Sequence, residues 1–189
     1  PAGFDPTSLC HSRVADNHAL LITDFRQDGY ALTKFLVLHH GMTDAARGML
    51  AQRILDIDTY RTLAMMGLPL AQSLSPEIRQ IEARFTAITQ RMKQHARDEA
   101  DEMLSEITTL AAELEANAAL SLYRFGASRA YNDIILDRVG MLAEKALPGN
   151  ETLGAFLHWR LAPAMRTCQS VEERQVNLSR KLTRATALL

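Results

Sequence analysis

Along the first fifteen residues the apolar positions follow no period. Pro, Gly, Ser and Thr alternate with isolated apolar residues there, which predicts a loop. The pattern changes between His18 and Leu38. Ala19-Leu20-Leu21-Ile22-Thr23-Asp24-Phe25 and Tyr30-Ala31-Leu32-Thr33-Lys34-Phe35-Leu36-Val37-Leu38 are short runs rich in β-branched and aromatic residues, and they predict two strands. Arg26-Gln27-Asp28-Gly29 between them predicts an Asp-Gly turn, with Gly29 taking a positive φ without steric cost. A two-stranded ribbon is marginal in water, so this hairpin is expected to join a sheet whose other strands lie upstream of Pro1.

A helical period takes over after Gly41. Thr43 can cap a helix in which Leu50, Ile54, Ile57, Tyr60 and Leu63 recur at threes and fours, and Gly67-Leu68-Pro69 is expected to break it. At Leu74-Ser75-Pro76-Glu77 a second start is predicted: Ser75 caps, Pro76 fits the first helical position, and Glu77 meets the positive end of the dipole. Ile78, Ile81, Phe85, Ile88 and Met92 then trace a narrow, coiled-coil-like seam. From about Asp98 to Lys145 there is no Pro, and one long helix is predicted with a kink near Gly126. Met103, Ile107, Leu110 and Leu114 open its stripe, Tyr131, Ile135, Val139 and Leu142 continue it, and Leu147-Pro148-Gly149 stops it. With Asn150 as cap, a last helix is expected over residues 151 to 189, interrupted at Pro163, with Leu178, Leu182 and Leu189 on its later apolar face.

The expected fold is therefore α+β and predominantly α. Residues 1–41 form a loop and a β-hairpin, and residues 42–189 form an elongated bundle of long antiparallel helices, the whole making a single domain. At 189 residues, with 47% hydrophobic and 23% charged positions, the chain is long enough for one sizeable core. It begins Pro1-Ala2-Gly3, without a methionine or a signal-peptide pattern, so it is expected to be a fragment of a longer protein. The longest nearly uncharged apolar stretch, Thr62 to Ala71, is too short to span a bilayer.

Twenty-one Lys plus Arg against twenty-two Asp plus Glu argue against a surface built throughout for nucleic acid. Cys10 and Cys168 stand far apart with no CxxC, which points to a reducing compartment rather than a disulfide framework. The charge is uneven along the chain. Asp98, Glu99, Asp101, Glu102, Glu106, Glu113 and Glu115 form an acidic stretch, while Arg160, Arg166, Arg174, Arg180, Lys181 and Arg184 outnumber Glu172 and Glu173 near the end. In one reading the arginines of the last helix pair with the acidic helix across the bundle; in the other they face a membrane or an anionic partner.

No phosphate loop, GxGxxG, GxSxG, HExxH, EF-hand or zinc spacing occurs, so no cofactor, metal, small-molecule substrate or catalytic group is expected. His39-His40 follow the second strand, where neighbouring residues point to opposite faces and do not share an ion. Asp56 and Asp58 splay apart on their helix and read as surface charges. The densest polar and aromatic cluster is Tyr123-Arg124-Phe125-Gly126-Ala127-Ser128-Arg129-Ala130-Tyr131. Gly126, Ala127 and Ala130 allow a close helix crossing, while Arg and Tyr are common interface anchors. Tyr123, Arg124, Ser128, Arg129 and Tyr131, with Arg160, Arg166 and Arg174 of the basic last helix, are the candidate interaction surface.

The run Arg124-Phe125-Gly126-Ala127-Ser128-Arg129-Ala130-Tyr131, together with Leu161-Ala162-Pro163-Ala164-Met165-Arg166-Thr167-Cys168, resembles the bacterial domain-of-unknown-function 3422 family, whose members are described as uncharacterised membrane-anchored proteins. Ile57-Asp58-Thr59-Tyr60-Arg61 and Leu68-Pro69-Leu70-Ala71 fit the same pattern, and the likeness spans roughly Asp16 to Leu189. At His158-Trp159-Arg160 the sequence departs from an arginine pair common in the family. The resemblance implies no reaction. It implies sequence before Pro1 and, after Leu189, more helix leading into hydrophobic anchoring segments, which would place the basic last helix at the cytoplasmic face of the inner membrane. The expected function is that of a domain of a membrane-anchored protein acting by self-association or contact with a protein partner rather than by catalysis. The alternative is a regulatory domain of a CorA-like divalent cation transporter, with the acidic helix sensing the ion.

Overall fold

A computed structural model describes residues 3–95 and 99–189. Asp98, the first member of the acidic run, lies outside the described residues. The fold is α+β and mainly α. In chain order the elements are β1 (Cys10–Val14), β2 (Ala19–Gln27), β3 (Thr33–His39), α1 (Asp44–Met65), α2 (Gly67–His95), α3 (Ala100–Met141), β4 (Lys145–Ala146) and α4 (Leu153–Thr186). The sheet is antiparallel in the order β3-β2-β1-β4.

The predicted hairpin is present as β2 and β3, with Ala19 opposite His39 and Thr23 opposite Phe35. Two further strands of its sheet come from inside the chain, β1 beside β2 and β4 beside β1. β1 occupies part of the stretch read as loop: Cys10, Ser12 and Val14 face inward, and the period is masked because Ser12 is polar. Ser12 Oγ donates to Glu144 Oε1 at 2.6 Å, which satisfies the hydroxyl inside the fold. The β2–β3 turn also differs from expectation. The Asp28 carboxylate accepts the N–H groups of Tyr30 at 2.9 Å and Leu32 at 3.1 Å, and the left-handed residue is Ala31 (φ +60°) instead of Gly29.

Thr43 caps α1 as predicted, with its Oγ1 accepting the Ala46 N–H at 3.2 Å. The chain then breaks at Met66, and Gly67-Leu68-Pro69 opens α2. Pro69 falls in the first turn, where its missing N–H is one the helix leaves unpaired anyway. Ser75-Pro76 starts no helix. Pro76 lies inside α2, and Ser75 Oγ donates back to the Ala71 carbonyl at 2.9 Å instead of capping. Ala71, Leu74 and Ile78 are fully packed on both sides of it, so tertiary burial carries the helix through a residue that propensity would use as a stop. In the same way α3 passes through Gly126, and α4 is not interrupted at Pro163. At the start of α4 the cap is Thr152, whose Oγ1 accepts the Ala155 N–H at 3.1 Å. Asn150, the expected cap, bonds the Pro148 carbonyl instead.

The chain divides into two compact units, Pro1–Met65 with Arg129–Pro163 and Met66–Ser128 with Ala164–Leu189, so the division runs through α3 and α4. In the first unit the buried residues include Leu21, Ile22 and Phe25 of the sheet, Ile54 and Ile57 of α1, Ile135 of α3 and Leu157 of α4. In the second unit one cluster unites the predicted seams: Leu74, Ile78, Ile81 and Ile88 of α2, Met103, Ile107, Leu110, Leu114 and Phe125 of α3, and Val171, Leu178 and Leu182 of α4.

Candidate functional site

The eight candidate contact residues divide between the two units. In the second unit Tyr123 is 78% exposed, Arg124 reaches Met66 Sδ at 3.9 Å, and Ser128 is buried. Arg166 is exposed, and Arg174 forms a paired hydrogen bond with Glu82, Nη2 to Oε2 at 2.7 Å and Nε to Oε1 at 3.2 Å. Gly67, Ser128 and Cys168 meet so closely that a Cβ on Gly67 would stand 2.6 Å from Ser128 Oγ, whereas at Gly126, one of the small residues expected at a close crossing, a Cβ would meet nothing within 4 Å. In the first unit Arg129 is exposed, the Tyr131 ring lies 5.6 Å from that of Tyr60, and Arg160 lies over Phe156.

On the same second-unit face α3 and α4 leave a groove of about 270 Å³. Leu122, 69% exposed, and Val176, 44% exposed, flank it, with Glu115, Glu172 and Arg180 in its wall. Within it Gln175 is buried, its Oε1 accepting from Ser121 Oγ at 3.2 Å while its Nε2 has no acceptor. Leu120, 65% exposed, stands with Tyr123 one turn along α3.

Among the described residues of the acidic stretch, Glu99, Glu102, Glu106 and Glu113 pair with arginines of α2. Arg91 bridges Glu99 at 3.0 Å, Glu102 at 3.6 Å and Glu106 at 2.7 Å, and Arg84 meets Glu113 at 2.8 Å. The hydrogen bond to Glu106, then that to Glu99, raises the Arg91 pKa further. Among the described residues no group of three or more His, Cys, Asp or Glu is arranged to hold a metal ion. Asp56 and Asp58 are more than surface charges. Asp56 accepts from Arg138 Nε at 2.9 Å, and Asp58 pairs with Arg61 at 2.6 Å. The rings of His40 and His18 stand 5.6 Å apart.

A second cluster, in the first unit, carried no motif in the sequence. β2 is bulged between Thr23 and Gln27, and there Phe25 takes φ +52°, a conformation rare for a bulky side chain. Phe25 stacks on Phe156, with centroids 5.3 Å apart, and meets Phe35 edge-on at 5.6 Å. The Arg61 guanidinium lies 4.8 Å over the Phe25 ring, and that of Arg160 lies 5.1 Å over Phe156. Asp24 is buried, its two carboxylate oxygens accepting the N–H groups of Asp5 at 2.9 Å and Arg26 at 3.0 Å. Asp24, Phe25, Arg26, Arg61, Phe156 and Arg160 line a cavity of about 310 Å³ with Met65, Leu157 and Leu161 at its apolar side. Its members come from β2, α1, α4 and, with Ser8, the segment before β1, far apart in sequence, and of the three arginines the charge pattern singles out Arg160 alone.

The family model described as "Protein of unknown function (DUF3422)" matches residues 1–189, the whole chain. No curated protein and no solved structure matches it. No helix among the described residues is long and apolar enough to cross a membrane.

Proposed function

The chain belongs to the family described as protein of unknown function (DUF3422), and from that premise we propose that it acts by association with a second copy of itself, through the α3–α4 face of the second unit, and not by catalysis. The observation that carries this reading is the order of side chains along α4. Glu172, Val176 and Arg180 line the groove and recur every four residues, so they share one stripe of the helix. An antiparallel second copy, related by a two-fold axis through Val176, sets Glu172 against Arg180 of the second copy, and Arg180 against its Glu172. Leu122 and Val176 then lose the water that covers them.

Sedimentation of the chain over a concentration series tests this. A dimer is expected for the wild type and a monomer for Val176→Glu, with the helical circular dichroism unchanged. A wild-type monomer throughout the series contradicts the reading.

The cytoplasmic face of a bacterial inner membrane, with the anchor in sequence outside residues 1–189, belongs to the same proposal. It rests on the family resemblance and on the exposed Arg166, Arg180, Lys181 and Arg184. Protease added to inverted membrane vesicles carrying the full-length protein is expected to cut this region. Cleavage in intact spheroplasts instead would overturn the orientation.

A further inference from the structure

The ladder between β2 and β3 continues one rung past the ends of the two strands. Ala19 stands opposite His39, and beyond that pair the His40 N–H donates to the His18 carbonyl at 3.0 Å, so His18 and His40 face each other across the hairpin. Directly opposed residues of an antiparallel pair project from one face of the sheet with Cβ atoms about 4.5–5.5 Å apart, so the backbone itself brings these two imidazoles together. Their ring centroids are 5.6 Å apart and the rings are tilted by 43°. Both side chains are exposed, and among the described residues neither ring makes a hydrogen bond or an ion pair. A metal–nitrogen bond of about 2.1 Å places an ion about 3.2 Å from the centre of an imidazole, so two rings that share one ion stand about 5–6 Å apart. The pair therefore stands at the spacing that chelation needs. His39, next to His40 along the strand, projects from the opposite face and does not join it.

We propose that His18 and His40 chelate one divalent transition ion of the class that favours imidazole nitrogen, such as Zn²⁺, Ni²⁺ or Cu²⁺. No group of three or more His, Cys, Asp or Glu forms around an ion site among the described residues, so the two imidazoles leave the other coordination positions to water or to a donor from outside the chain. That is the arrangement of an exchangeable ion, whereas a structural zinc is closed in by four protein ligands. Mg²⁺ and Ca²⁺ take oxygen ligands and find none here. The ion ties the start of β2 to the end of β3 and meets both ligands only when the ladder is formed, so it stabilises the folded chain. The site lies within the first unit and does not depend on self-association through the second.

Zn²⁺ titrated into the untagged chain, followed by calorimetry and by thermal melting with Mg²⁺ as the comparison, tests the proposal. One Zn²⁺ per chain and a raised melting temperature are expected, with no response to Mg²⁺. His18→Asn and His40→Asn each leave a single surface imidazole, and each is expected to weaken binding at least about tenfold and to abolish the rise in melting temperature, because the second ligand no longer acts at high effective concentration. His39→Asn is expected to keep the wild-type affinity. Cu²⁺ bound to the wild type is expected to show the nitrogen couplings of two imidazoles in its pulsed electron paramagnetic resonance spectrum, and of one in either His18→Asn or His40→Asn. Failure of the wild type to bind Zn²⁺, or unchanged affinity in His18→Asn or His40→Asn, overturns the site. A loss in His39→Asn as large as that in His40→Asn overturns the cross-strand pairing. An equal response to Mg²⁺ overturns the assignment to an imidazole-favouring ion.

Discussion

Gly67 is buried, and a Cβ there would stand 2.6 Å from Ser128 Oγ and 3.1 Å from Cys168 Sγ. Gly67→Ala is expected to cost about 1–3 kcal/mol by overpacking, read from the urea midpoint. The Ser128 hydroxyl it would strike is buried without an acceptor, so Ser128→Ala alone is expected to be neutral or stabilising and to relieve part of the Gly67→Ala cost. At Gly154 a Cβ would meet Val139 Cγ1 at 2.8 Å and Glu144 Oε2 at 2.9 Å, because that carboxylate accepts the first N–H groups of α4 from Leu153 and Gly154. Burial, and next the carboxylates of Glu151 and Glu144, push the Cys10 thiol up to about 12. The sign follows from linkage. A folded-state pKa above the ordinary 9.0 keeps the thiol's contribution to stability intact below about pH 9 and removes it as pH rises toward 12, so thermal stability is expected to fall across that window in the wild type and less in Cys10→Ala. Gly67 reads in the sequence as a breaker; its close contact depends on residues 61 and 101 positions away, which no local pattern records.

At the scale of elements, the apolar periods located the long helices, since Ile78, Ile81 and Ile88, and Met103, Ile107, Leu110 and Leu114, share one buried cluster as their spacing requires. The punctuation misled at Ser75-Pro76 and Pro163. A proline removes one hydrogen bond, whereas the buried stripe on either side gains several side chains' worth of packing. Pro76→Ala restores the missing N–H toward Gln72 and is expected to stabilise the fold by roughly 1–3 kcal/mol, measured by chemical denaturation. β1 and β4 escaped notice for a different reason: one hides a polar inward Ser12, and the other is two residues long. At the start of α3, Arg91 already bridges Glu99, Glu102 and Glu106 and holds them on one cation. About 10 mM magnesium, enough to fill weak carboxylate sites, is expected to leave the melting temperature unchanged. A rise that disappears with Glu106→Gln would favour ion sensing by this helix.

For the whole molecule, the apolar periods gave the class of fold, and the sequence likeness gave the family, but neither reveals which faces remain exposed once the core has formed. The Tyr123 to Tyr131 segment drew attention by its chemistry, and its residues serve different ends. Ser128 fills a helix crossing and Tyr131 meets Tyr60, while Tyr123 stays exposed beside Leu120. Val176 carried no signal in the sequence, because one apolar residue among polar neighbours is ordinary until Leu122 is seen across the groove from it. The most direct test of self-association is the absolute mass by light scattering of Arg180→Glu and of the charge swap Glu172→Arg/Arg180→Glu, beside the wild type. A dimer is expected for the wild type, a monomer or an about tenfold weaker dimer for Arg180→Glu, and recovery of the dimer in the swap, since an antiparallel pairing is indifferent to which end carries which sign. A wild-type mass equal to one chain, or a dimer equally strong in Arg180→Glu, would contradict it.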